Sequence, residues 1–552
     1  MNQPPWPQDF NPLGNAWLST LAAAVPISTL VYFLAVRRIA AWQAAVLGFV
    51  AAVIVAIALF HMPPLLVVGA VADGLVYGWF RIAWIAVAAV FVYDVSVETG
   101  QFEVVKKSIG DISGDRRLQV LLIAFAFGGL LEGAGGGGAP VAITGAMMIG
   151  LGFPPFQTVL MCLIANSAPV AFGSLGNPVR SLVAVTGLPE PDFSSMLGRI
   201  VPFMAAILPF WLVRVMCNTR DTLKVWPGLL AGGLTFASIQ FFWSNYMDGS
   251  LVDLVSGAGT LLVLAFFFHK VWKPKGEWRY GGEASAPAKA TSFELPLRRV
   301  LWGWFPFLLL GAFVVVWGLP SITRELDKTT WKQPVPGLHL GVVRMPPVVP
   351  VARPEPALFD GAWLAAPGTG VFFAGLLAGP LAGLSFKRTL QVFVRCVGRL
   401  TSSIVAILAM LGTGFITRYC GMDATMGMAM AHTGALFPLF GTLIGWLGVA
   451  LSGTDAGSNA LFGSFQMITA QQLHLSPILM GAANSAGGVM GKMIAAQSLV
   501  IGCAATGQQG QEGLLFRAVL KHSIVLALAV GLIVLLYAYV FPGAVPSGHH
   551  YW

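Results

Sequence analysis

The chain has 552 residues, of which 56% are hydrophobic and only 10% charged, with a formal net charge of +9. Soluble domains carry about 25% charged residues, so this composition excludes an ordinary soluble fold and points to a lipid bilayer as the solvent. The basic excess lies in short clusters between apolar runs, which is the pattern of membrane topology and excludes nucleic acid as the partner.

The N-terminal stretch MNQPPWPQDFNPLGNAWLST has no basic n-region and no small-residue cleavage site, so it is not read as a cleavable signal; Trp6 and Trp17 suit a membrane interface. Apolar runs of about 20 residues then recur, each long enough to cross a hydrocarbon core about 30 Å thick. They include 18–36, 42–60, 199–217, 251–272, 301–319, 362–384 and 523–541. Hydropathy therefore predicts an all-α polytopic membrane protein with about 12 to 14 transmembrane segments. Arg37 and Arg38 follow the first run, which puts its end in the cytoplasm and the N-terminus outside; Lys106, Lys107, Arg116 and Arg117 agree.

At 130–140 the sequence LLEGAGGGGAP sets Glu132 beside five glycines, Gly133 and Gly135 to Gly138, with Pro140 after them. Each interior glycine costs about 1 kcal/mol relative to alanine in a helix, so the helix is expected to break here. In lipid a break is tolerated only where the freed backbone groups are buried in protein or line a watery cavity. The half-helix N-terminus it leaves is an anion site. Three further tracts read the same way: APVAFGSLGNP at 168–178, SGTDAGSN at 452–459 and NSAGGVMGKM at 484–493. A lone small-residue motif would be read as close helix packing. Four tracts in two matched pairs are read as a binding site.

Segment 269–299 holds seven Lys/Arg against three Glu around a GGEASAPAKATS centre, and reads as a basic cytoplasmic linker. A transmembrane helix at 300–319 leads to an extracytoplasmic, proline-rich connection at 320–360. These separate a first transmembrane half, 1–268, from a second, 361–552, whose C-terminus is expected outside. Asn-Ser-Ala recurs at Asn166 and Asn484, 318 residues apart, and the same shift lays Gly135 on Gly453. The halves are thus read as repeats of the kind secondary transporters carry.

An ionisable group at bilayer depth costs at least about 2.5 to 3.5 kcal/mol on insertion scales, and its default reading is functional. Glu132, Asp455 and Lys492 lie in the tracts, and Arg180 just past the second. A structural ion pair or cap for Glu132, and a simple pairing of Lys492 with Asp455, remain the alternatives. Asp73, Arg81, Asp94 and Arg418 read as interfacial or paired, and His432 as interfacial. The cysteines at 162, 217, 396, 420 and 503 have no ligand spacing, so no metal and no cofactor are expected. No Lys-Ser/Thr pair follows the glycines as a phosphate loop requires, and no nucleophile and base cluster as in an enzyme.

The segments FGGLLEGAGGGGAPVAITGAMMIGLGFPP, CLIANSAPVAFGSLGNPV, SGTDAGSNALFGSFQMITAQQL and ANSAGGVMGKMIAAQS, with GLHL and RMPPV in the 320–360 connection, resemble the L-lactate permease family over nearly the whole chain. The resemblance implies proton symport of L-lactate across the bacterial inner membrane, with glycolate and other small 2-hydroxy carboxylates as related substrates. It also implies re-entrant hairpins, broken helices and an elevator-like motion. One departure is the unbroken run Gly135 to Gly138, which lacks the bulky side chain the family's pattern has at position 137.

A small hydroxy acid presents a carboxylate and a hydroxyl. The groups expected to bind it are Gly135, Gly136 and Gly137, Asn166 and Ser167, Ser458 and Asn459, Asn484 and Ser485, and Lys492. Moving an anion alone against an inside-negative potential costs about 2.3 kcal/mol per 100 mV, and an accompanying proton removes that cost. Glu132 or Asp455 is expected to hold the proton. Sodium coupling, or another small organic anion, is the alternative within this class. A channel is the competing class, and a homodimer is left open.

Overall fold

The computed structural model describes residues 5–37, 39–110, 112–136, 138–280, 296–349 and 351–546. Gly137 and the centre of the basic linker lie outside the described residues. Among those described, ten helices are long and apolar enough to cross a membrane, or twelve when each of two bent pairs counts as one span. This is a multi-pass helical membrane protein, with ten spans below the expected 12 to 14 and twelve at its lower end.

The outermost helices read as lipid-facing. Ala16–Ala35 packs on Ala41–Ala58 and on Met422–Met430, and Ala41–Ala58 packs on Phe386–Cys420, yet most of their residues stay uncovered by protein. Trp84–Glu98, Leu297–Gly318 and Pro367–Leu381 form a second flanking group. Arg116–Ala134 is the opposite case: its whole apolar window is buried inside the protein. The glycine tracts lie at this centre.

Arg116–Ala134 leads into a turn that includes Gly135, Gly136 and Gly138, and Ala139–Gly150 leaves it. At 12 residues this return arm is about 18 Å long, too short to cross, so the element is a hairpin and not a broken span. Pro155–Ala165 and Val170–Thr186 follow as one span bent by 60°. The second half has the same order. Phe437–Ser452 leads to Gly453, Asp455–Gln472 returns beside it, and Pro477–Ile494 with Ala496–Ala505 makes a span bent by 40°.

The two sets interlock. Ala139–Gly150 packs against Ala496–Ala505, and Gly173–Thr186 against Asp455–Gln472. In the first pair Gly138 faces Ile501 and Gly145 faces Thr506. In the second, the Asn459 amide donates to the Pro178 carbonyl at 3.0 Å and Gly463 faces Leu182 and Val185. The base of the first hairpin lies beside the basic linker, where Arg116 covers the Phe153 ring at 5.1 Å and Phe153 meets Tyr280. The base of the second lies beside the proline-rich connection, where the Gln472 amide donates to the Pro347 carbonyl at 3.1 Å. The hairpins therefore enter from opposite faces.

The proline-rich connection closes its face. Trp6–Pro7, Val342–Arg344 and Arg353–Pro354 form a three-stranded sheet. Beneath it the buried Glu355 pairs with Arg344 at 2.8 Å and with Arg418 at 2.6 Å. The Gln8 amide donates to the Arg418 and Tyr419 carbonyls, at 2.9 Å each, at the end of Phe386–Cys420. The other scattered charges are partnered too: Arg81 forks onto Asp360 at 2.8 Å, Arg399 bonds Asp94 at 2.7 Å, and the Tyr419 hydroxyl donates to Asp73 at 3.2 Å.

The fourth tract departs from expectation. Asn484 to Gly491 lies inside the continuous helix Pro477–Gly491, and the chain breaks only at Lys492 to Ala495. Its glycines serve close packing instead. A methyl at Gly487 would run into the Thr442 carbonyl, and one at Gly491 into the Trp446 carbonyl. The leading arm Phe437–Ser452 approaches too closely there for any side chain.

Candidate functional site

The first hairpin turn uses backbone that glycine adopts without strain, with φ of +59° at Gly136 and +89° at Gly138. Glycine also makes room for the carboxylate. A methyl at Gly136 would strike Ser174 Oγ and come within 3.2 Å of Glu132 Oε1, and one at Gly173 within 2.9 Å of the same oxygen. Glu132 sits between these glycines in the last turn of Gly128–Ala134, 4% exposed. Its Oε2 has no hydrogen-bond partner among the described residues. The Asn166 amide lies beside it and has no other partner among the described residues.

Ser174, Leu175 and Gly176 form a left-handed stretch, with φ of 47°, 57° and 81°. Two non-glycine residues in that region cost of order 1 to 3 kcal/mol each, and neighbours must hold them there. Ser174 Oγ donates to the Gly135 carbonyl at 2.8 Å, and Arg180 Nη1 to the Leu175 carbonyl at 2.5 Å.

The second tip is tighter. Gly453 turns the chain at φ +80°, and the Thr454 hydroxyl caps Asp455–Gln472 by accepting from the Gly457 N–H at 3.1 Å. Asp455 is the first residue of that helix, and its Oδ2 accepts from Ser485 Oγ at 2.5 Å while Oδ1 is unpartnered. A methyl at Gly488 would strike Oδ1. Lys492, 3% exposed, donates from Nζ to the Gly453 carbonyl at 2.7 Å. Glu132 and Asp455 are both within its electrostatic reach, but it makes no ion pair with either among the described residues. Lys492 is thus not simply the partner of Asp455, and two of its three donors stay uncommitted.

Both tips and Lys492 border one cavity of about 1410 Å³, whose wall continues to Arg399 and Glu512. Of the expected site residues, Glu132, Gly135, Gly136, Asp455 and Lys492 line it. Gly137 lies outside the described residues. Asn166, Ser167, Ser458, Asn459, Asn484 and Ser485 are buried but do not line it. Most of these serve the core. Asn484 Nδ2 donates to Asn459 Oδ1 at 2.8 Å, Gln466 Nε2 to Asn484 Oδ1 at 3.2 Å, Ser458 Oγ to the Gly445 carbonyl at 3.3 Å, and Ser167 Oγ to the Ile164 carbonyl at 2.7 Å. Their polar atoms are taken up in holding helices together, and Ser485 acts on the site only through Asp455.

Sequence reasoning missed Asp253. It is fully buried near Glu132, packed against the backbone at Gly133. Gln240 Nε2 donates to its Oδ1 at 3.1 Å and to the Ala168 carbonyl, in the first bent span, at 3.2 Å; Oδ2 is unpartnered. A carboxylate inside the apolar run 251–272 was the available signal. Asn177, which lies in the 168–178 tract but was not singled out there, and Gln497 also line the cavity.

One ammonium therefore faces two buried carboxylates, Glu132 and Asp455, and a third, Asp253, lies near Glu132. With all three ionised, a further anion could not join them without large unpaired charge at membrane depth. The site can accept a small carboxylate on Lys492 and on the first-turn amides of Asp455–Gln472 when a proton or another cation enters with it.

The profile of the L-lactate permease family matches residues 19–541. Over 98% of its length the chain is 41% identical to the whole of the glycolate permease GlcA of Escherichia coli K12, and 39% identical to the whole of the L-lactate permease of Bacillus subtilis 168. Among solved structures it is similar to the YdaH transporter of Alcanivorax borkumensis, with a TM-score of 0.44 and 14% identity, covering 86% of this chain and 88% of that one. The family match runs through both hairpins and both bent spans, and the named relatives align end to end. The chain belongs to the L-lactate permease family.

Proposed function

We propose that the protein is a secondary active transporter that imports L-lactate, and related small 2-hydroxy carboxylates such as glycolate, with a proton across the bacterial inner membrane. The observation that carries this is the Lys492 ammonium, with two of its three donors free, within electrostatic reach of Glu132 and Asp455 where two oppositely entering hairpin tips share one cavity. The named relatives supply the substrate class: glycolate and L-lactate differ by one methyl.

The substrate carboxylate takes the free donors of Lys492. Glu132 takes the proton, because it is buried between two glycines with Oε2 unpartnered, whereas Asp455 has the Ser485 hydroxyl and a helix N-terminus. The interlocked, oppositely entering hairpins support an inverted repeat, the architecture of alternating access. The cavity wall reaches Arg399, beside the basic face that the excess of positive charge assigns to the cytoplasm, while the sheet and the Glu355 cluster seal the other face. This is an inward-facing conformation, with the hairpin core as the part that moves against the flanking helices.

The test is uptake of labelled L-lactate into proteoliposomes under a pH gradient, acid outside. Saturable uphill accumulation that survives replacement of Na⁺ by choline is the expected result. A strict Na⁺ requirement would replace the proton with sodium, and a non-saturating, purely downhill flux would make the protein a channel.

A further inference from the structure

We propose that Asn177 reads the substrate's 2-hydroxyl, an inference that rests on the 2-hydroxy carboxylate function above. Asn177 follows directly on the left-handed stretch at 174–176 that Gly135 and Arg180 hold in place. Next comes Pro178, whose carbonyl is tied to Asn459. The backbone of Asn177 is thus pinned on both sides, within one turn of the Ser174 that touches the first hairpin tip.

Its side chain is fixed as well. Nδ2 donates to the Ile82 carbonyl at 3.2 Å, and a flipped amide would set two acceptor oxygens against each other. The carbonyl edge, Oδ1, is therefore the free one. Asn177 lines the substrate cavity, is only 4% exposed, and its Oδ1 accepts no hydrogen bond among the described residues. A buried acceptor left unmet is costly, so the site favours an occupant that can donate there.

That requirement discriminates among small acids. A carboxylate cannot donate, and neither can a 2-keto oxygen, but a 2-hydroxyl can. Lys492 recognises the carboxylate that all such acids share. Asn177 Oδ1 recognises the hydroxyl that lactate and glycolate have and that propionate and pyruvate lack. Pyruvate would set one acceptor against another. The two contacts fix the carboxyl and the adjacent carbon together, and the third substituent, hydrogen or methyl, is left to the apolar wall.

The experiment measures inhibition of labelled L-lactate uptake by unlabelled L-lactate, glycolate, propionate and pyruvate in proteoliposomes. The wild type should prefer the hydroxy acids by about 10- to 100-fold, the range set by one lost hydrogen bond to a buried acceptor. In Asn177→Ala the ratio of propionate to lactate inhibition constants should fall to within about three-fold, with Asn177→Ser in between. The serine variant keeps the test available if the alanine variant does not insert, because each ratio is internal to one protein. A wild type inhibited equally by propionate, or an Asn177 variant that keeps the wild-type ratio, overturns the role of Asn177 and leaves the transport function standing. A wild type that takes up no 2-hydroxy carboxylate overturns that function and this inference with it.

Discussion

The two hairpin tips solve one problem with different means. The first spreads its turn over a run of glycines and places its carboxylate, Glu132, in the turn before it, at the C-terminal end of a helix. The second turns within Gly453 and Thr454 and places its carboxylate, Asp455, at the first position of a helix, where the dipole favours an anion. Asp455 also has a hydroxyl donor in Ser485, while Glu132 has the unpartnered Asn166. Two carboxylates on opposite arms of their tips thus have different surroundings. On the proposed reading, the second tip, with Lys492 bonded to its Gly453 carbonyl, holds charge and the first gives it up.

Loss of the shared cation should have the largest effect. Lys492→Ala removes the one ammonium between the tips, and unpaired buried charge of this kind costs about 3 to 5 kcal/mol. Lactate affinity of the purified protein should fall by about 100-fold or more while the protein still inserts. Normal affinity would take Lys492 out of the site. The next effect separates the tips. Gly136→Ala must hold φ near +59° and also strikes Ser174 Oγ, so uptake should fall by about 10-fold. Gly453→Ala is strained by its φ of +80° but meets only the flexible end of Gln497, at 2.8 Å, so a fall of about three-fold is expected. Equal sensitivity in uptake assays would remove the distinction. Gly150→Ala, with open space around it, should leave uptake unchanged.

The membrane class, the first tract, both carboxylates and Lys492 were legible in the sequence, because glycine runs and charges inside apolar stretches have few other uses. The two Asn-Ser-Ala segments fall in different local structure. Asn166 ends a helix, whereas Asn484 lies in the middle of one and bonds Asn459. Its neighbours Gly487 and Gly491 answer the approach of another helix backbone, which only the packed fold can reveal. The hairpin form of the first tract depended on the length of Ala139–Gly150, a boundary the hydropathy profile blurs. The tract at 168–178 contained Asn177 without singling it out, because its role depends on which edge of its amide is left over once Ile82 has taken the other.

The most direct measurement compares Glu132→Gln with Asp455→Asn in proteoliposomes, recording lactate exchange and uphill uptake separately. If Glu132 carries the proton, Glu132→Gln mimics its protonated state, so exchange of labelled lactate persists while accumulation driven by a pH gradient is lost. Asp455→Asn should weaken binding yet still accumulate lactate. A Glu132→Gln protein that concentrates lactate against its gradient, or an Asp455→Asn protein that exchanges but cannot concentrate it, would contradict the assignment and make Asp455 the proton carrier.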